Sequence, residues 1–365
     1  MILKWVIVVL HQGPSKADHP FMANNASFPT VFFEICLENQ VAVPSSSPIQ
    51  PAQPGRQEPG LWISRDHPER LQEAVICLLG RHQASATEAQ NFLTYARENR
   101  LDLDNLLACP ASGASQEAPL AFAALCAINS GRTAMLLTSP PISKAETTPI
   151  AALASFAISQ LDRKKVHLVQ SLIAPEDHLA QQALLEAGLK ELAVLHYMER
   201  PARTAMPDCL PLPEDLELHA YSQDDDSDVL SALDSSYEGT LDCPGLHGLR
   251  QTADILAGHK ATGNAELNLW WVLRQDKKPL GAIMLASHMN ANSLELTYLG
   301  VAKAARHRGA GAAMLKHALQ TAEQIHPRKC HLAVDVNNVP AIALYGRFGF
   351  RSILKRQALI YALHD

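Results

Sequence analysis

Arg306-His307-Arg308-Gly309-Ala310-Gly311 sets two glycines two positions apart, after an apolar strand from Leu294 to Val301 and before a segment, Ala312 to Ile325, whose apolar spacing predicts a helix. Glycines let the backbone turn tightly with no side chain in the way. Several amide N–H groups can then converge on one anion at the positive end of the helix dipole. A phosphate suits such a turn, and Arg306 and Arg308 add charge beside it. Strand-to-helix glycines also occur for packing alone, so the turn by itself leaves both readings open. A second cluster follows a further strand, His331 to Val336. It runs Asn338-Val339-Pro340-Ala341-Ile342-Ala343-Leu344-Tyr345 and closes on Gly349-Phe350. Asn338 has the chemistry of an N-cap for a helix that Pro340 helps to start.

Taken together, R-x-x-G-x-G and N-x-x-A-x-x-L-Y-x-x-x-G-F, separated by one helix and one strand, resemble the acetyl-CoA site of the GNAT superfamily of N-acetyltransferases. The resemblance covers about 216 to 365 well and the first half by architecture only. It implies a mixed sheet that splays between two adjacent strands, with acetyl-CoA in the gap. It implies cofactor contacts from Arg306, His307, Arg308, Gly309, Ala310, Gly311 and Ala312, and from Asn338 to the pantetheine. Backbone amides of Leu299 and Val301 would bind the thioester carbonyl and the pantetheine arm, and fixed donors of that kind stabilise an oxyanion.

The same resemblance puts Tyr345 near the thiol end of the cofactor, where its phenol would protonate the departing thiolate. The alternative is a tyrosine packed between helix and sheet. An amine is protonated at neutral pH and must lose a proton to attack, which makes a nearby carboxylate useful. Glu295 is the candidate, because strand alternation puts Glu295, Thr297, Leu299 and Val301 on one face, and several family members place a glutamate base there. Deprotonation through water, with Glu295 paired to a cation, is the alternative; Tyr298 falls on the opposite face as packing. Substrate choice in the family lies largely in the loop between the first two helices, here 235–248. Its Tyr237, Glu238 and Asp242 would suit a cationic amine, and a solvated glycine-rich loop is the bland reading.

The expected activity is therefore direct transfer of an acetyl group from acetyl-CoA to a primary amine, on a small molecule or a peptide. The rivals are a non-catalytic or regulatory acyl-CoA-binding protein and a transferase for a longer acyl-CoA. Cys330 and Cys243 are possible nucleophiles, but neither has an obvious histidine partner, and the family needs no acyl-enzyme.

Composition narrows the setting. The chain has 365 residues, enough for two domains with their own cores, and a formal charge of -6 with 19% charged residues, which predicts no global attraction to nucleic acid or anionic lipid. Seven cysteines, an odd number without any C-x-x-C, suggest neither a disulfide framework nor a thiolate metal site, and a reducing cytosol fits them. Sixteen histidines show no H-E-x-x-H or similar pair on one helical face, so no metal is expected.

The elements that position these residues occur twice. Residues 1–60, rich in Pro, Ser and Gln from Val41 to Gly60, are expected to be a poorly ordered extension, with translation beginning at Met22 as one possibility. Met1 to Leu10 is too short and too poorly flanked for a membrane span or a signal peptide. From Arg65 on, apolar spacing predicts helices at 71–79 and 86–99 and a hairpin of 120–128 with 133–137. A helix (150–161), a strand (166–173), a helix (177–187) and a strand (192–198) follow. A strand (216–221), helices (224–236 and 251–258), a hairpin (267–273 with 280–286) and the site segment ending in a strand (358–363) repeat the order.

Aligning Gly188 with Gly349 gives an offset of 349 − 188 = 161, at which the halves superimpose as a tandem duplication. That offset puts Ala145, Thr148 and Ile150 at the places of Arg306, Gly309 and Gly311, so the first half is expected to lack the site. The expected fold class is α/β (α+β), two tandem GNAT-like domains, each a mixed, mostly antiparallel sheet flanked by helices. The divisions are a degenerate domain 61–205, a linker 206–213 and a catalytic domain 214–365.

Overall fold

The computed structural model describes residues 60–80, 84–98, 101–111, 114–222, 226–262, 269–288 and 292–363. The expected N-terminal extension, Met22 included, lies outside these described residues apart from Gly60. No helix among the described residues is long and apolar enough to cross a membrane.

The first half runs β1 (Leu61–Trp62), α1 (Ile63–Asp66), α2 (Leu71–Gly80), α3 (Ala86–Glu98), β2 (Leu106–Pro110), β3 (Leu120–Asn129), β4 (Thr133–Thr138), α4 (Lys144–Ser159), β5 (Leu168–Ile173), α5 (His178–Glu186) and β6 (Lys190–Pro201). The second runs β7 (Glu217–Ala220), α6 (Asp226–Tyr237), α7 (Thr252–Lys260), β8 (Leu269–Gln275), β9 (Lys278–His288), β10 (Ser293–Val301), α8 (Ala310–Ala322), β11 (Lys329–Asp335), α9 (Val339–Arg347) and β12 (Arg351–Ala362). Apart from the short α1, the two orders are the same. The offset of 161 maps α5 onto α9 and β6 onto β12 end to end. Even the caps repeat, since Asp177 accepts from the Ala180 N–H and Asn338 from the Ala341 N–H.

Local chemistry explains the joints. Asp276 and Lys277 both take positive φ (47° and 66°), the two-residue hairpin turn whose twist suits flanking strands, so the β8–β9 loop is shorter than the stretch to Pro279 that the sequence suggests. Pro279 instead lies in β9, beside a register shift between Leu273 and Arg274. Gly188 and Gly349 follow α5 and α9 with φ of +97° and +84°, the left-handed stop that glycine adopts without strain.

Among the described residues all strands join one 12-stranded sheet in the order β1-β2-β3-β4-β5-β12-β6-β11-β10-β9-β8-β7. The pairs β4–β5 and β10–β11 are parallel and the others antiparallel. The halves exchange their last strands: β6 pairs with β11 of the second half, and β12 with β5 of the first. Equivalent registers recur at the offset, Leu168 opposite Ala362 and Lys329 opposite Pro201. Where β6 and β12 meet, Leu195 faces Arg356, residues that are themselves 356 − 195 = 161 apart, so a pseudo-two-fold axis passes through that pair. Strand β12 begins at Arg351, earlier than the expected Ala358; the charged Arg351, Lys355 and Arg356 in its first half hid it from a hydrophobic reading.

Among the described residues four apolar clusters cover the two faces of the two halves, and a fifth, with Leu195, Tyr197 and Ala358, lies where β6 and β12 meet. In the second half Met314, Leu315, Ala318 and Leu319 of α8 pack with Phe348 and Phe350 on one face, and Val229, Leu233, Ile255 and Leu256 of α6 and α7 pack on Trp270, Met284 and Tyr298 on the other. The first half mirrors this with α4 and α5 on one face and α2 and α3 on the other.

Candidate active site

Strands β10 and β11 pair in parallel over Ser293–Glu295 and Lys329–His331 and then separate. From Leu296 to Val301 strand β10 therefore has β9 on one side and an opening on the other. A cavity of about 580 Å³ fills that opening, within the roughly 300–1,000 Å³ usual for small-molecule sites. Its walls include Glu295 to Val301, Ala333 and Val334 of β11, the turn His307 to Ala312 without Arg308, and Asn338, Leu344 and Tyr345 of the α9 segment.

The strand presents donors to this opening. Ala302 donates its N–H to the Leu280 carbonyl of β9. Peptide groups alternate in direction along a strand, so the N–H groups of Leu299 and Val301 turn the other way, toward the side that β11 has left. A β-bulge between Leu296 and Tyr298 interrupts the strand. It corrects the expectation that Glu295, Thr297, Leu299 and Val301 share one face. Leu294 and Leu296 before the bulge, and Leu299 and Val301 after it, pack with the α8 cluster, while Tyr298 joins the α6–α7 cluster. An extra residue inverts the alternation, so Glu295 belongs to the face of Tyr298. It still lines the cavity, because the cavity passes through the gap between the strands.

The turn before α8 is built around Gly309, the N-cap, with φ +81°; an added Cβ there would have nothing within 4 Å. Gly311 has no positive φ, so its contribution is space, with Leu344 Cδ2 3.8 Å from where a Cβ would stand. His307 takes the left-handed conformation at φ 61° and is exposed. The two arginines do not stand free beside the turn. Arg306 donates from Nε to the Val301 carbonyl at 3.0 Å and from its terminal nitrogens to the carbonyls of Ser236 (2.9 Å), Glu238 (2.8 Å) and Gly239 (3.1 Å). It is a strut between β10 and the loop after α6. Arg308 pairs with Asp215, away from the cavity lining. The exposed Arg347, which the motif did not single out, does line the cavity.

Tyr345 is buried, in edge contact with Phe350 at 5.8 Å between ring centroids, and among the described residues its hydroxyl has no hydrogen-bond partner. Burial raises its phenol well above the usual tyrosine range, so it keeps its proton at any working pH. Asn338 caps α9 at 3.4 Å and also borders the cavity, which keeps both of its readings compatible. Burial pushes the Cys330 thiol up to about 12 and that of Cys243 higher still, so neither supplies a thiolate for an acyl-enzyme route.

The acceptor side gathers only part of the expected set. Tyr237 and Asp242 line both the main cavity and a neighbouring one of about 230 Å³, whose wall also holds Asp234, His247 and Arg250. Glu238 lines neither; it is exposed, and its carbonyl accepts from Arg306. Asp242 is fixed from β11, accepting from the Asp335 N–H at 3.0 Å while the buried Asp335 carboxylate accepts from the Cys243 N–H at 3.2 Å. Tyr298 hydrogen-bonds Ser236 and contacts the Tyr237 ring edge-on, so it tethers α6 to the strand.

Two histidines that no motif marked stand beside Glu295. His288 Nε2 lies 3.1 Å from the Glu295 carboxylate, and the rings of His288 and His331 stack at 5.8 Å. Their positions follow from sheet register, which a sequence does not display.

The equivalent place in the first half is built differently. Helix α4 begins at Lys144, so Thr148 and Ile150 lie inside it, and Ile150 is 1% exposed, packed in the core. Helix runs where the second half has its open turn.

Residues 240–350 match the family described as the acetyltransferase (GNAT) family. A GCN5-related N-acetyltransferase from Sphaerobacter thermophilus has a solved structure similar over 81% of this chain and 91% of that one, at 15% identity and a TM-score of 0.54. A tandem GNAT protein from the clavulanic acid biosynthesis pathway is similar over 84% of this chain and 98% of that one, at 13% identity and a TM-score of 0.48. A putative acetyltransferase from Pyrococcus horikoshii, at 11% identity and a TM-score of 0.41, covers 81% of this chain and 87% of that one. No curated protein matches the chain.

Proposed function

We propose, from the premise that residues 240–350 are a GNAT domain, that this chain is an N-acetyltransferase carrying an acetyl group from acetyl-CoA to a primary amine, with the second half as the catalytic one. The observation that carries the reading is the separation of β10 from β11, with the Leu299 and Val301 N–H groups facing the gap, the α8 turn at its border and Tyr345 in its wall. Acetyl-CoA would supply the activated acyl group as a thioester. The residues present fit it: Gly309 leaves its turn open, Ala310 and Gly311 open α8 with amides that have no carbonyl one turn back within the helix, and Arg347 adds a cation at the border.

Within that site each residue has a proton or a position to manage. The Leu299 and Val301 amides are fixed donors for an oxygen that gains negative charge, and they need no reorganisation to act. Tyr345, kept protonated by burial, gives its phenolic proton to a leaving sulfur. Glu295 takes a proton from the substrate ammonium and so frees the amine lone pair to attack, with His288 holding the carboxylate by its 3.1 Å hydrogen bond. Asp242 and the Tyr237 ring edge give the acceptor side the character that suits a cationic amine. The test is mass spectrometry of a panel of small amines and peptides incubated with purified protein and acetyl-CoA. An acetylated product supports transfer, whereas tight acetyl-CoA binding with no product from any amine would leave an acyl-CoA-binding protein as the better account.

A further inference from the structure

Three adjacent strands converge on one point at the vertex of the splay. Glu295 of β10 is directly opposite His331 of β11, at the last pair before the strands part, and His288 of β9 stands opposite Ser293, one same-face step from Glu295. One ring nitrogen of each histidine and a carboxylate oxygen of Glu295 all lie within 4.8 Å of one another. His288 and His331 are 3% and 8% exposed. His331 Nε2 is sealed from solvent with no hydrogen-bond partner. A buried polar nitrogen without a partner is costly, and in native proteins it points to something that completes it.

We infer that His288, Glu295 and His331 form a site for a divalent transition metal of the zinc class. Two imidazoles and one carboxylate are the His₂Glu donor set of open zinc sites, in which a fourth position is left for water or a ligand. Here the fourth position has an outlet, because Glu295 borders the cavity. Tetrahedral zinc with bonds of about 2.1 Å holds its donors roughly 3.4 Å apart, so side-chain adjustments on the order of 1 Å within the present cluster close the shell. The carboxylate offsets part of the ion's charge, and strand register rather than a mobile loop sets the ligand spacing. This site departs from the expectation of no metal drawn from histidine spacing along the chain, since its ligands are brought together only by cross-strand neighbours.

The inference stands on sheet geometry and not on the acyl-transfer reading. Where both hold, the ion and the amine proton compete for the same Glu295 carboxylate, and zinc inhibits transfer. The test uses full-length, chelator-treated protein and zinc alone, read by calorimetry, so its result does not depend on catalytic turnover. One zinc per chain, weakened roughly tenfold or more in His288→Gln and in His331→Leu, is the expected result. Absence of zinc binding by wild type, or equal affinity in folded variants, overturns the assignment. Cobalt(II) added to the wild-type chain provides a reading that needs no variant. The strong visible absorption of a four-coordinate ion supports the site, and only the pale spectrum of hydrated cobalt refutes it.

Discussion

Tyr345 combines a buried ring with a hydroxyl that has no protein partner among the described residues, a placement that packing alone does not require. If it donates a proton to the leaving thiolate, Tyr345→Phe should lower kcat roughly tenfold to several hundredfold with acetyl-CoA affinity retained. The direction of its shift fixes the pH behaviour. A phenol raised above its ordinary value stays protonated through the neutral and mildly basic range, so the variant's pH profile should keep the wild-type shape. Glu295→Gln differs in kind, since it should remove the acidic limb of kcat/KM and recover part of the rate at high pH, where amine is already free. An unaltered profile with near-normal rate would assign deprotonation to water. At the turn, Gly309→Glu puts a β-carbon into a left-handed position and a carboxylate where the anion belongs, and calorimetry should show acetyl-CoA binding lost from a folded protein. Gly311→Ala has 3.8 Å of clearance to Leu344 and should bind nearly normally. Equal affinity in Gly309→Glu and wild type would end the phosphate-turn assignment.

At the scale of elements, the sequence showed what repeats along the chain and concealed what depends on neighbouring strands. Helical and strand spacing located α5, α9, β10 and the two hairpins to within a few residues, and the turn at Gly309 was legible because glycine there has a conformational reason. The bulge at Thr297 left no mark, since one extra residue changes pairing without changing composition, and with it the shared face of Glu295 and Leu299 was lost. Arg306 was read as charge for a phosphate because a sequence shows a guanidinium but not its acceptors. With carbonyls of Val301, Ser236, Glu238 and Gly239 around it, it fastens the α6 loop to the mouth of the gap while also lining the cavity. Charged hydrogen bonds of this kind are each worth around 1.5–3 kcal/mol when well made, less where solvent reaches them. Arg306→Ala should therefore lower the melting temperature of the ligand-free protein, a loss of about 2 kcal/mol, and raise the KM for the amine through a loosened loop. An unchanged melting temperature would return Arg306 to the role of a free cation.

At the scale of the whole molecule, the exchange of β6 and β12 joins the halves through backbone ladders rather than through a surface contact. The first half keeps helix where the second has its turn, so acetyl-CoA should titrate with one site per chain, and two equivalent sites would show that the first half had been misread. The exchange also sets how the chain unfolds. Strand β6 belongs to the first half by sequence, yet its Arg200, 2% exposed, donates to the Phe348 carbonyl at the end of α9 at 2.7 Å, and to the Ala202 and Thr204 carbonyls of the connection that follows β6. That connection packs on Gly349, where a Cβ would meet Thr204 Cγ2 at 2.6 Å. Removing the guanidinium strands the buried Phe348 carbonyl and releases the half-buried carbonyls of Ala202 and Thr204. Arg200→Ala should destabilise by roughly 1–3 kcal/mol, the range for leaving a buried acceptor unsatisfied. Because neither half has a complete sheet without the other's last strand, the loss should appear as a downward shift of one cooperative transition. Calorimetry of the variant checks this: two separated transitions, with only the second half's moved, would mean that the exchanged strands do not couple the halves and that each folds on its own core.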